Sequence, residues 1–136
     1  MKDKKIQILL PILIMFIMVF LLNNKNHDIN KNNIENLYIS KASGKFVEFK
    51  ATVENILNDD LKGDKHQRLI LRISPKRTVL LAHNIDVAPR VPVKIRDSVL
   101  VKGQYEWNEK GGVVHWTHKK DNNPYGWILH KNKKYQ

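Results

Sequence analysis

SVLVKGQYEWNEKGGVVHWTH, residues 98–118, decides the fold class. Val99, Val101, Gly103, Tyr105 and Trp107 alternate with Leu100, Lys102, Gln104 and Glu106, the period of two that a strand buried on one face imposes. NEKGG then supplies the tight link expected between antiparallel neighbours, so this strand and VVHWTH should form a hairpin. With Glu106 opposite Val113 and Tyr105 opposite Val114, the apolar groups gather on one side, whereas a slip of one residue mixes the faces. That register places Gln104, Glu106, His115 and Thr117 together on the polar face. His118 then points with Trp116 toward the core side or beyond the strand end. Residues three apart in a straight strand face opposite ways, so His115 and His118 do not clip one metal ion unless the strand bends at Thr117.

The chain outside this hairpin reads the same way. Val47, Phe49, Ala51 and Val53 alternate with charged and polar partners, and the turn-rich NDDLKGDK ends that first strand. HQRLILRIS (66–74) is a second strand, and TVLLAHNID (78–86), after a turn at Pro75 and Lys76, is a third, buried on both sides for part of its length. VAPRVPVKIRD carries two prolines and is a connection. The expected fold is all-β: a small five-stranded antiparallel barrel, OB-like, with an SH3-like barrel as the alternative. The barrel domain is expected over residues 44–131, followed by a basic tail at 132–136.

Ahead of the barrel, Ile6–Leu22 is apolar except at Gln7 and Pro11 and follows Lys2, Lys4 and Lys5, the pattern of a membrane-targeting segment. No small-residue cleavage site follows it, which favours an uncleaved transmembrane anchor over residues 1–22, with the domain outside the cytoplasm. Cleavage to a secreted or periplasmic form is the alternative. Residues 23–36 hold seven asparagines in fourteen positions and read as a polar stalk that extends to residue 43, with a short helix beginning near Tyr38.

The chain has 136 residues and no cysteine, so a disulfide-linked partner and thiol chemistry are both excluded. Its formal net charge of +11 suits a polyanion: nucleic acid, an anionic glycan or an anionic lipid headgroup. GxSxG, HExxH and Walker-type phosphate loops are absent, which counts against the familiar hydrolase and nucleotide-binding classes.

Strand ends carry the remaining chemistry. His66 opens the second strand, His83, Asn84 and Asp86 close the third, and Glu106 faces the strand that holds His115. In a small barrel such ends can meet, making a cluster of His66, His83, Asp86, Glu106 and His115. Each member also has a structural explanation: a solvated strand end for His66, a hydrogen-bonded interior group for His83, turn formation for Asn84 and Asp86, a cross-strand ion pair for Glu106.

GDKHQRLIL, LLAHNIDVAPRVP, GQYEWNEKGGVVHWTH and GWI, in that order over about residues 44–130, together resemble an uncharacterised bacterial domain-of-unknown-function family of short, mostly exported proteins. The resemblance implies functional positions at His66, Gln67, Arg68, His83, Asn84, Asp86, Glu106, Trp107, Asn108, His115, Thr117 and His118. The family pattern sets an acidic-proline step and a further histidine between HWTH and GWI. Here Asp121 matches the acidic position and no histidine follows. Arg96 stands where the pattern sets a glycine before Asp97.

Two functions follow as expectations. One is a binding module for an anionic or polar polymer, with Arg68, Arg72 and Lys102 supplying charge and His66, Glu106, Asn108 and His115 directional hydrogen bonds. The other is a hydrolase using His83, Asp86 and His115 as acid/base groups or as ligands to a divalent metal such as zinc. An envelope scaffold, with the polar cluster serving only the fold, is the third.

Overall fold

A computed structural model of the chain describes residues 11–21, 34–120 and 126–136. The described chain is mostly β, with β1 at Lys45–Asp60, β2 at His66–Ser74, β3 at Arg77–Asn84, β4 at Ser98–Glu106, β5 at Val113–His115, β6 at Trp127–His130 and β7 at Lys133–Tyr135. β1 pairs with β4 through its first half and with β2 through its second. β2 pairs with β3, β3 with β5 and β5 with β4, so five strands close a ring in the order β1-β2-β3-β5-β4.

One pair in that ring, β3 with β5, is parallel, which departs from the all-antiparallel expectation. The reason is parity: alternating directions cannot close on themselves with an odd number of strands. β1 serves two neighbours by bending where its register shifts between Val53 and Asn55. The inward residues of β2 and β4, and of β1 as far as Val53, alternate without a break, and Val53, Leu69, Leu71, Val101 and Tyr105 are fully buried.

The hairpin register is the expected one, with Glu106 opposite Val113, Tyr105 opposite Val114 and Gln104 opposite His115. Gly111 and Gly112 make the link at φ 119° and 97°, and a side chain on Gly112 would strike the Tyr105 ring.

Residues 132–136, expected as a basic tail, instead contain β7, which pairs with β6 across a two-residue turn at Lys131 and Asn132. Both have positive φ, 48° and 63°, the conformation a tight hairpin requires. β6 in turn pairs with β4 outside the ring, and Ile128 and Tyr135 extend the core.

Residues 34–39 form the short helix, which starts four residues earlier than expected and belongs to the core rather than to a stalk. Ile34 is fully buried, Leu37 packs against the core, and Glu35 accepts two hydrogen bonds from Arg77, at 2.8 and 3.0 Å. The Arg77 guanidinium also lies 3.5 Å from the centre of the Tyr38 ring, and the Trp107 indole N–H donates to the Tyr38 carbonyl at 3.0 Å. The helix therefore covers the end of the ring where β1 and β3 begin and β4 ends. The opposite end, where β2 begins and β3 and β5 end, lies clear of it.

Residues 11–21, part of the apolar run, are helical. Among the described residues no helix is long and apolar enough to cross a membrane. The remainder of the expected anchor and residues 23–33 of the expected stalk lie outside the described residues.

Candidate functional site

At the uncovered end of the ring a cavity of about 410 Å³ is lined by Asp64, His66, Asn84, His115, Trp116, His118 and the Lys119–Lys120 pair, with Val87 at its edge. Four of the sequence-derived candidates, His66, Asn84, His115 and His118, meet there. The cavity lies in the usual volume range of ligand sites, roughly 300–1,000 Å³.

Trp116 makes this arrangement possible. Its φ of 55° ends the strand at His115 and breaks the alternation, one residue before the bend considered at Thr117. His115 and His118 consequently line one cavity instead of opposite faces, and their rings flank the Trp116 ring at 5.8 and 5.6 Å. Trp116 itself is 37% exposed, with the Lys120 ammonium 4.6 Å from its ring centre. Gly126, the glycine of GWI, presses against this turn: a side chain there would meet the Trp116 carbonyl at 2.2 Å and the Lys102 carbonyl at 2.3 Å.

The same reversal corrects the placement of Thr117, which is not on the polar face with His115 but fully buried. Its Oγ1 lies 2.8 Å from Nδ1 of His83, which is also fully buried, and Nε2 of His83 lies 3.0 Å from the Pro89 carbonyl. A carbonyl only accepts, so Nε2 carries the proton of the neutral ring and Nδ1 accepts from the threonine hydroxyl. Burial holds the His83 pKa below its usual value; the Pro89 hydrogen bond opposes this, and His118, His66 and Arg90 reinforce it. Both nitrogens of His83 are thus engaged within the protein.

Asp86 is engaged as well, accepting the Lys65 N–H at 2.7 Å, while Asn84 accepts the Asp86 N–H at 2.9 Å and donates to Asp64 at 3.2 Å. These bonds brace the β1–β2 loop against the end of β3 and set the position of His66. The expected ligand set of His83, Asp86 and His115 does not converge, and among the described residues no group of three or more His, Asp and Glu is arranged to hold a metal ion.

The remaining candidates have other surroundings. Gln67 clamps the β3–β4 connection, donating to the Val91 carbonyl at 2.9 Å and accepting its N–H at 3.0 Å. Arg68 donates to the Asn58 carbonyl at 2.8 Å, and Arg72, expected to offer free charge, is paired with Glu54. Trp107 and Asn108 lie at the covered end, where Asn108 accepts the Lys110 and Gly112 N–H groups at 2.9 and 3.0 Å. Glu106 approaches His115 Nε2 at 3.6 Å, just beyond hydrogen-bond reach. That nitrogen is buried and has no hydrogen-bond partner among the described residues. Burial lowers the His115 pKa and the Glu106 carboxylate partly restores it.

Four lining residues were missed from sequence: Asp64, Val87, Lys119 and Lys120. The signal for the lysines was their adjacency to HWTH. A second histidine pair also went unremarked, buried His130 Nε2 with half-buried Asp97 at 2.8 Å, which holds β6 to the turn before β4. In that turn Arg96 has φ 76° and its N–H donates to the Val53 carbonyl at 2.7 Å, which accounts for the glycine of the resembled pattern. Asp121 lies outside the described residues.

A search of curated proteins returns no match. A family model matches residues 15–136, nearly the whole chain and every element of the cleft, and the chain belongs to the family so described, Protein of unknown function (DUF3465).

Proposed function

We propose that this protein is a binding module in which an OB-like barrel takes an anionic polymer, single-stranded nucleic acid by preference, into the cleft around Trp116. The closed order β1-β2-β3-β5-β4 with one parallel pair supports an OB-like over an SH3-like barrel. The observation that carries the functional reading is the exposed Trp116 ring in a cavity with Lys119 and Lys120. A flat aromatic face stacks on a base of any sequence, and adjacent ammonium groups meet the phosphates on either side. Three arginines are drawn off into pairs, Arg72 with Glu54, Arg77 with Glu35 and Arg90 with Asp59, whereas Lys119 and Lys120, like the other described lysines, pair with no carboxylate among the described residues and are the two cations that line this cavity.

The apolar run at residues 6–22 and the lysines before it support a membrane tether with the barrel outside the cytoplasm. The helix at 34–39 joins the ring at the end opposite the cleft, which favours a ligand approaching from the aqueous side over the headgroups of the protein's own membrane.

The test is binding of a fluorescent single-stranded oligonucleotide to the full chain in neutral detergent, across a salt series. Two phosphate contacts give a slope of log affinity against log salt of about −1.4. Absence of binding, or binding indifferent to salt, overturns the reading. Tighter capture by anionic vesicles or acidic glycans than by the oligonucleotide overturns its choice of polymer.

A further inference from the structure

Resting on the binding reading above, we propose that the cleft also cleaves RNA without a metal ion, using His66 and His118 as the acid–base pair of a transesterification. Nδ1 of His66 lies 2.8 Å from the Asp64 carbonyl and Nδ1 of His118 lies 2.9 Å from the Lys119 carbonyl. Each carbonyl accepts, so each Nδ1 donates, and in the neutral ring the lone pair is left on Nε2. Neither Nε2 has a hydrogen-bond partner among the described residues, although both rings line the same cavity. Two imidazoles fixed in one tautomer by backbone carbonyls, His66 half-buried and His118 7% exposed, each with its other nitrogen unpartnered at the lining of one cleft, are set to exchange protons with a bound molecule.

His83, by contrast, has both nitrogens occupied and is no candidate for proton transfer.

The chemistry balances with no cofactor. One neutral histidine takes the 2′-hydroxyl proton at Nε2 as the 2′-oxygen forms a bond to phosphorus. The bond from phosphorus to the 5′-oxygen breaks, and that oxygen takes a proton from the second histidine, which begins protonated. The products are a 2′,3′-cyclic phosphate and a 5′-hydroxyl, and proton exchange with water restores the pair. Lys119 and Lys120 line the same cavity and offset the charge that gathers on the phosphoryl oxygens.

The experiment incubates the full chain in detergent and excess chelator with a labelled RNA oligonucleotide and with the same oligonucleotide carrying 2′-deoxy sugars. The expected result is cleavage of the RNA to cyclic-phosphate ends and binding without cleavage of the deoxy strand. His66→Ala and His118→Ala, each checked for native melting, should lower the cleavage rate about 10²- to 10⁴-fold while oligonucleotide affinity changes far less. His66 is the decisive position, because it is held only through the Asp64 carbonyl and its replacement leaves the core untouched. RNA that binds and stays intact overturns this inference and leaves the binding reading standing; no binding of either strand overturns both. Cleavage that survives His66→Ala, or that stops in chelator, also overturns it.

Discussion

His83 and Thr117, thirty-four residues apart in sequence, share a 2.8 Å hydrogen bond between two fully buried side chains. It ties the end of β3 to the chain just beyond β5, directly behind the cleft, and so couples the Trp116 turn to the core.

Thr117→Val keeps the shape of the side chain and removes the hydroxyl, leaving Nδ1 of His83 buried without its donor. The expected loss of stability is about 1–3 kcal/mol, the cost of an unsatisfied buried polar group. Urea denaturation of wild type and variant measures it. A change below a few tenths of a kcal/mol would mean that the bond does not brace the site.

His83 also sets a pH dependence. Its folded pKa lies below the ordinary value of 6.5, so between the two values the unfolded chain binds a proton that the folded chain refuses. Its contribution is complete above about pH 6.5 and is lost as the pH falls through the folded pKa, and His115 acts in the same direction. Asp97, whose pKa is lowered by the Lys94 N–H and by His130, and Glu35, lowered by Arg77, add losses only in the more acidic range below their own ordinary values. Urea midpoints should therefore fall between pH 7.5 and 5.5, and His83→Gln should flatten that fall. A midpoint that rises on acidification contradicts the assignment.

Arg96 holds a left-handed conformation that costs a side-chain-bearing residue roughly 1–2 kcal/mol. Arg96→Gly removes that strain but gives the unfolded chain more freedom, so the net expectation is a gain of about 0.5–1 kcal/mol. Thermal melting of the two proteins decides it, and a lower melting temperature for the glycine variant would contradict the account of this turn.

Trp116→Ala should weaken oligonucleotide binding by about 1–3 kcal/mol, roughly 5- to 150-fold, with little change in melting temperature because the ring is partly exposed. Fluorescence anisotropy titrations at one salt concentration give the comparison. Unchanged affinity would remove the stacking platform from the site.

Much of the ring was legible in the sequence, because alternation in Val99–Trp107 and the glycine pair after it leave a single register that keeps the core on one side. The limits of β2 were read to the residue for the same reason. The face of Thr117 was not legible: alternation predicts its side only while the strand stays extended, and Trp116 reverses the chain. That reversal brought His115 and His118 into one cavity and sent Thr117 inward to His83. β6 and β7 were missed although Lys131-Asn132 sits between two short runs, since a lysine in a positive-φ turn position is a weak signal beside Asn-Gly. The start of the helix at 34–39 was hidden because buried Ile34 and half-buried Leu37 and Tyr38 are embedded in an asparagine-rich stretch. Which histidines are open and which are occupied depends on carbonyls of Asp64, Pro89 and Lys119, and residue types alone do not report those.

Ultraviolet cross-linking of a single-stranded oligonucleotide to the full chain, followed by tryptic digestion and mass spectrometry, tests the central claim most directly. The account predicts adducts in the peptide spanning residues 111–119, centred on Trp116, and their loss in Trp116→Ala. Adducts confined to the outer surface of β1 and β4, around Lys50 and Leu100, or none at salt concentrations where binding is measured, would contradict it.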